Sequence, residues 1–155
     1  LPIWLNEAEP LMRRALAIDE QSYGPDHPNV AIRLNNLGGL LYATKRLTEA
    51  ELMMRRALAI DEKSYGPEHS NVAIRLNNLA RLLQATTRLT EAVPLMRGVV
   101  LIYAKLTALT SHEHPHLQAA QENYRAILVK SGLTEEQAMQ RVRAAMQDGG
   151  LSPGG

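Results

Sequence analysis

The sequence predicts an all-α fold, a solenoid of stacked antiparallel helix pairs with about seven helices. Three observations carry this expectation. Residues 23–64 and 65–106 are two copies of one 42-residue unit, identical at 26 positions, and self-similarity at such a period marks a stacked-repeat architecture. Residues 5–23 match residues 47–65 at 15 of 19 positions. Glu113-His114-Pro115-His116-Leu117 then resumes the pattern of Asp26-His27-Pro28-Asn29-Val30 with a spacing three residues longer, the stretch from Thr107 to Ser111 absorbing the insertion. The expected organisation is one domain over 1–147. It holds a half unit (5–22), two full units (23–64 and 65–106) and a degenerate unit (107–147) with a capping helix over 134–147. Residues 148–155 are Gly-rich and expected to be disordered.

Taken in order, Leu1 to Leu5 form a short apolar lead with the sole Trp, Trp4. The first helix is expected over about 6–22, with Asn6 as N-cap and Pro10 in its first turn or just beyond. Tyr23-Gly24-Pro25-Asp26-His27-Pro28 breaks the chain. Gly24 suits a helix end, Pro25 stops continuation, and Pro28 suits the first turn of the next helix. His27 and His69 read as helix-start residues. The second helix, about 28–44, puts Val30, Leu34, Leu37 and Leu41 on one stripe beside small Ala31 and Gly38.

Lys45 and Arg46 form the next turn. Thr48 with Glu51 reads as a capping box and Leu47 with Leu52 as a hydrophobic staple, opening a third helix that buries Ala50, Met54, Ala57 and Leu58. The cycle repeats with helices ending near Thr86 and Leu106. A sixth helix covers about 115–130 and ends at Gly132. Thr134 with Gln137 starts a seventh, burying Ala138, Val142, Ala145 and Met146.

Bulk properties narrow the function. A net charge of +1 gives no electrostatic case for nucleic acid or an anionic membrane. No run of about 18 apolar residues suggests a membrane span. Cys is absent, so disulfide and thiolate chemistry are excluded. A cytoplasmic location is the expectation.

The internal spacing Leu34-x-x-Leu37-Gly38-x-x-Leu41, then Leu47-x-x-Ala50-x-x-x-Met54-x-x-Ala57-Leu58, resembles the tetratricopeptide pattern. The 42-residue unit, with LNNLA in its first helix and YGPDHPNVA between units, is similar to the kinesin light chain type, of which bacterial arrays exist. The resemblance implies a right-handed superhelix, in which the first helix of each pair lines a concave groove that receives a peptide.

Helical geometry gives an independent reading of that face. At about 100° per residue, the side opposite the Leu34 stripe carries Ile32, Asn36, Gly39 and Ala43, with Asn35 and Tyr42 at its edge. The second unit presents Ile74, Asn77, Asn78, Arg81 and Gln84, and the third Asn123. A carboxamide donates and accepts at once, so stacked Asn side chains could clamp a peptide backbone. The alternative is that one Asn of each pair bridges neighbouring helices while the other is solvated. The leading function is a non-enzymatic scaffold binding a linear protein segment. The alternative is a structural spacer or self-association segment of a larger repeat protein.

Other motifs read as structure. His112-Glu113-His114-Pro115-His116 matches H-E-x-x-H, but that zinc chemistry needs both His on one face of a continuous helix, which Pro115 blocks. No metal or other cofactor is expected. Arg13-Arg14, Arg55-Arg56 and Arg97 read as a solvated surface, supported by pairs such as Glu51 with Arg55. The first helix lacks the partner that the third and fifth have, so Leu11, Ala15 and Ile18 are expected to present an apolar face. Three covers stay open: residues 1–5, a second copy of the chain forming a homo-oligomer, or repeats upstream of this sequence.

Overall fold

The computed structural model describes residues 2–152. Seven α-helices run through them: α1 (Ile3–Tyr23), α2 (Pro28–Ala43), α3 (Leu47–Tyr65), α4 (Ser70–Ala85), α5 (Leu89–Thr110), α6 (Leu117–Lys130) and α7 (Glu135–Asp148). No strand occurs among the described residues. Contacts cluster into two compact units, residues 1–75 and 76–155, with the boundary inside α4.

In the first unit α2 packs between α1 and α3. Val30, Ala31, Leu34, Leu37 and Leu41 are fully buried, as the stripe requires. Gly38 permits the closest approach: a Cβ there would lie 3.0 Å from Met54 Cγ and 3.4 Å from the Ala50 carbonyl. From α3 come Ala50, Met54, Ala57 and Ile60, whereas the expected Leu58 is only half-buried.

Surface charges tie the three helices together. Arg46 donates to Glu9 of α1 at 2.6 Å and to Glu49 of α3 at 2.8 Å, and Arg13 reaches both acids. Arg13 first, then Arg46, hold the Glu9 carboxyl below its ordinary pKa.

Two expected helix starts are corrected. Asn6 is not an N-cap: α1 begins a turn earlier, after Pro2, and takes in residues 3–5. Pro10 therefore sits well inside α1 and leaves the Asn6 carbonyl without its helical donor. Thr48 is not the cap of α3 either. The helix starts at Leu47 behind Arg46, whose guanidinium is bound by Glu49, and no side-chain cap forms. Arg88 and Glu91 repeat this at the start of α5, at 2.7 and 2.8 Å. The expected capping box of α7 does form, with Gln137 N–H donating to Thr134 Oγ1 at 3.2 Å and Thr134 N–H to Gln137 Oε1 at 3.0 Å.

In the second unit α5 packs on α6 and α7. Its 22 residues have the length and composition of a membrane span, but Val99, Val100, Ile102, Tyr103 and Ala104 are core. The three-residue insertion becomes an extra helical turn, closed by Ser111 in the left-handed conformation (φ 57°). α7 buries Ala138, Val142 and Ala145, while Met146 is half-buried. The stretch expected to be disordered opens in order: Asp148 ends α7 and pairs with Arg97. Gly149 lies so close to α5 that a Cβ would come within 2.4 Å of Ala104 Cβ. Residues 153–155 lie outside the described residues.

The turns between repeats close through two paired contacts. Asp19 accepts from Arg33 at 2.7 Å and Asp61 from Arg75 at 2.8 Å, the same spacing of 14 residues in both copies. Tyr23 stacks on His27 (4.7 Å) and Tyr65 on His69 (4.4 Å). Each His Nδ1 accepts from the backbone N–H two residues on, at 3.1 Å, so the His caps the helix it precedes.

Candidate functional site

The helical-face reading places its residues on two surfaces, one in each unit. In the first unit Ile32, Asn36, Gly39 and Ala43 are exposed along α2, with Asn35 and Tyr42 half-buried at the edge. Ile74 is exposed on the opening turns of α4. Asn36 lines a cleft of about 210 Å³ with Leu11, Met12 and Ala15 of α1 and Arg33 of its own helix. Helix α1 was not foreseen as a wall of this site.

In the second unit a cleft of about 220 Å³ gathers Asn77, Arg81 and Gln84 of α4, Met96 of α5, and Asn123 and Ala126 of α6. Four residues singled out from the sequence thus meet in one place. Asn78, half-buried on the same helix, is not among those lining it. Met96, fully buried beneath, was missed; its recurrence at the positions of Met12 and Met54 was the available signal.

The cleft is open chemically as well as sterically. Most arginines of the chain are neutralised internally, for example Arg33, Arg46, Arg56, Arg75 and Arg125. Among the described residues the side chains of Asn77, Arg81 and Asn123 have no hydrogen-bond or ion-pair partner. The arrangement offers two amides that donate and accept, one guanidinium, and an apolar base from Met96 and Ala126.

The H-E-x-x-H string lies on the α5–α6 turn and on no continuous helix. His114 stacks on the buried Tyr103 at 4.2 Å, and its N–H donates to Thr107 Oγ1 at 2.9 Å. Burial first, then neighbouring His116, lowers the His114 pKa from its ordinary 6.5. Burial also raises the Tyr103 hydroxyl above its usual range.

Paired helices repeating at 42 residues define an all-α helical-repeat protein. The chain belongs to the tetratricopeptide repeat family, whose model matches residues 5–63 and 34–98. Such repeats generally mediate protein–protein interaction, and the family is generally non-enzymatic.

Solved structures similar to it are kinesin light chain-like. One is a single-substitution variant of a Podosopora anserina chain assigned as a kinesin light chain with nearly identical TPR-like repeats. It is 26% identical, with a TM-score of 0.76 over 92% of this chain and 67% of that one. A second is bacterial, BtubC (BKLC) from P. vanneervenii, 22% identical with a TM-score of 0.74. This chain is covered over 97% and spans 60% of that protein. No curated protein matches the sequence.

Proposed function

We propose that the chain binds a linear peptide segment of a protein partner through the open face of its first helices. The observation that supports this is the second-unit cleft, where Asn77, Arg81 and Asn123 converge without internal partners. A side-chain amide meets both the N–H and the C=O of an extended backbone, so Asn77 and Asn123 hold the peptide main chain. Arg81 takes a carboxylate of the peptide. Gln84 adds a further amide, and Met96 with Ala126 accepts an apolar side chain. In the first unit, Ile32, Asn36 and Gly39 offer contact of the same kind, flanked by Asn35 and Tyr42. Ile74 and Asn78 add apolar and amide contact on α4.

A peptide-array screen with the wild type and an Asn77→Ala/Asn123→Ala variant tests the reading. Loss of about 10-fold or more in affinity is expected, with the far-UV circular dichroism unchanged. Arg81→Ala should selectively lose the acidic peptides. Equal capture by wild type and variants overturns the proposal.

A further inference from the structure

Helix α6 is one wall of the Asn77–Asn123 cleft. Asn123 and Ala126 line it together with Asn77, Arg81 and Gln84 of α4, and Met96 of α5 lies beneath. The start of that helix depends on one imidazole. The His116 N–H donates to His114 Nδ1 at 3.2 Å, and the Leu117 N–H donates to the His114 carbonyl at 2.9 Å. Backbone donors that open α6 are thus met by His114, while the side chain of His116 at the cap position meets none. The His114 ring is held from α5, stacked on Tyr103 at 4.2 Å and 14°, and its own N–H reaches Thr107 Oγ1 at 2.9 Å. The joint therefore both starts α6 and fixes that end of it to α5.

This arrangement needs a neutral ring. A ring nitrogen that accepts a hydrogen bond carries no proton, which puts the His114 hydrogen on Nε2. A second proton has to go to Nδ1, where it meets the His116 N–H. It also sets a positive charge at a helix N-terminus, which is already the positive end of the backbone dipole. The groups facing the ring are Tyr103 and Thr107 from α5 and, from the start of α6, His116, whose ring lies 5.6 Å away. Glu113 is exposed, and no carboxylate pairs with His114 among the described residues. The third imidazole, His112, turns to the Thr110 carbonyl at 2.9 Å. At the two earlier joints His27 and His69 make the same Nδ1 contact, but the residue two places on is Asn29 or Asn71. The second imidazole belongs to this joint alone.

We infer that His114 is a proton-operated latch on the peptide cleft: protonation at Nδ1 releases the first turn of α6 from α5, displaces the Asn123 wall and weakens peptide capture. The inference rests on the peptide reading of that cleft. Asn123 lies six residues beyond Leu117, about 9 Å along the helix, close enough for a loosened first turn to move it. Peptide and proton oppose each other by linkage, since a peptide seated against Asn123 favours the neutral ring. Burial first, then His116, lower the His114 pKa from 6.5, so capture is complete above pH 6.5 and falls as pH drops toward the folded value.

The test is the affinity of the full chain for a fluorescein-labelled peptide taken from the array, read by anisotropy from about pH 7.5 to about pH 5, the window in which imidazoles titrate. The wild type should weaken by about 5-fold on acidification, the loss expected for one hydrogen bond. His114→Gln keeps an acceptor that no proton in this range removes. It should bind like the wild type at neutral pH and lose the pH dependence, any remaining slope belonging to the peptide's own carboxylates. His116→Asn restores the residue of the other joints, takes away the neighbouring charge and should move the release to higher pH. Amide exchange over residues 117–123 reads the latch without peptide, and at acid pH it should be faster in the wild type than in His114→Gln. Capture indifferent to pH, an acid loss that His114→Gln retains in full, or a release that His116→Asn leaves at the same pH overturns the inference. No capture at any pH overturns the peptide reading, whereas equal exchange in wild type and His114→Gln overturns the latch, so the two fail separately.

Discussion

The α3–α4 turn and the α5–α6 turn join the same two kinds of helix by different chemistry. In the first, Asp61 and Arg75 form a buried ion pair and the ring of Tyr65 stacks on His69. In the second, Tyr103 stands where the repeat has Asp61, Ala120 where it has Arg75, and Thr107 where it has Tyr65. The ring has moved one helical turn back and still stacks on the equivalent His114. The three replacements together remove the charge pair and keep the aromatic clamp. It teaches that the stack is the portable part of the joint. A buried ion pair offsets its desolvation only while both partners are present; an aromatic ring needs only a surface to cover.

Substitution breaks the two joints unequally. Arg75→Ala leaves Asp61 buried and unpaired and should cost about 3–5 kcal/mol. Arg33→Ala, at the same repeat position but in a solvent-exposed pair, should cost about 1 kcal/mol or less. Urea denaturation of both variants gives the contrast, and equal losses would refute it. Tyr103→Ala removes a buried ring and should cost about 3–5 kcal/mol. Tyr65→Ala, at a half-exposed ring, should cost roughly 1 kcal/mol.

A smaller effect sharpens the comparison within the repeat hairpins. Thr87 has φ 60° and Lys45 φ 64° at matching turns, a conformation that strains a β-branched residue most. Thr87→Gly should raise stability by about 1 kcal/mol and Lys45→Gly by less, read as shifts in melting temperature.

The gentlest probe is pH. Because folding lowers the His114 pKa from 6.5, the unfolded chain binds that proton first on acidification. The stability linked to His114 is complete above pH 6.5 and is lost as pH falls toward the folded value. His114→Gln should flatten that slope.

Much of this was legible in the sequence. The 42-residue period indicated the helix pairs, the Leu34 stripe marked the core of α2, and the helical wheel set Asn77, Arg81 and Gln84 on one face of the fourth helix and Asn123 on one face of the sixth; that they line one cleft is visible only in the structure. What was missed had a competing partner. Thr48 lost the cap because the helix starts two residues earlier, behind Arg46, whose guanidinium Glu49 binds. Asn6 lost it because the apolar residues 3–5 extend α1. The Asp–Arg pair was visible as a 14-residue spacing in two copies, but its full burial at Asp61 and partial exposure at Asp19 depend on packing that no spacing encodes. The close seat of Gly149 on Ala104 joins residues far apart in sequence and left no local trace.

The Asp–Arg pairs span only 14 residues, and the Tyr–His stacks four to eleven. Each joint is therefore made by near neighbours along the chain, at a small cost in loop-closure entropy. Low contact order of this kind favours fast folding that can begin in either joint. A whole period could be duplicated or deleted while both flanking joints keep their own residues.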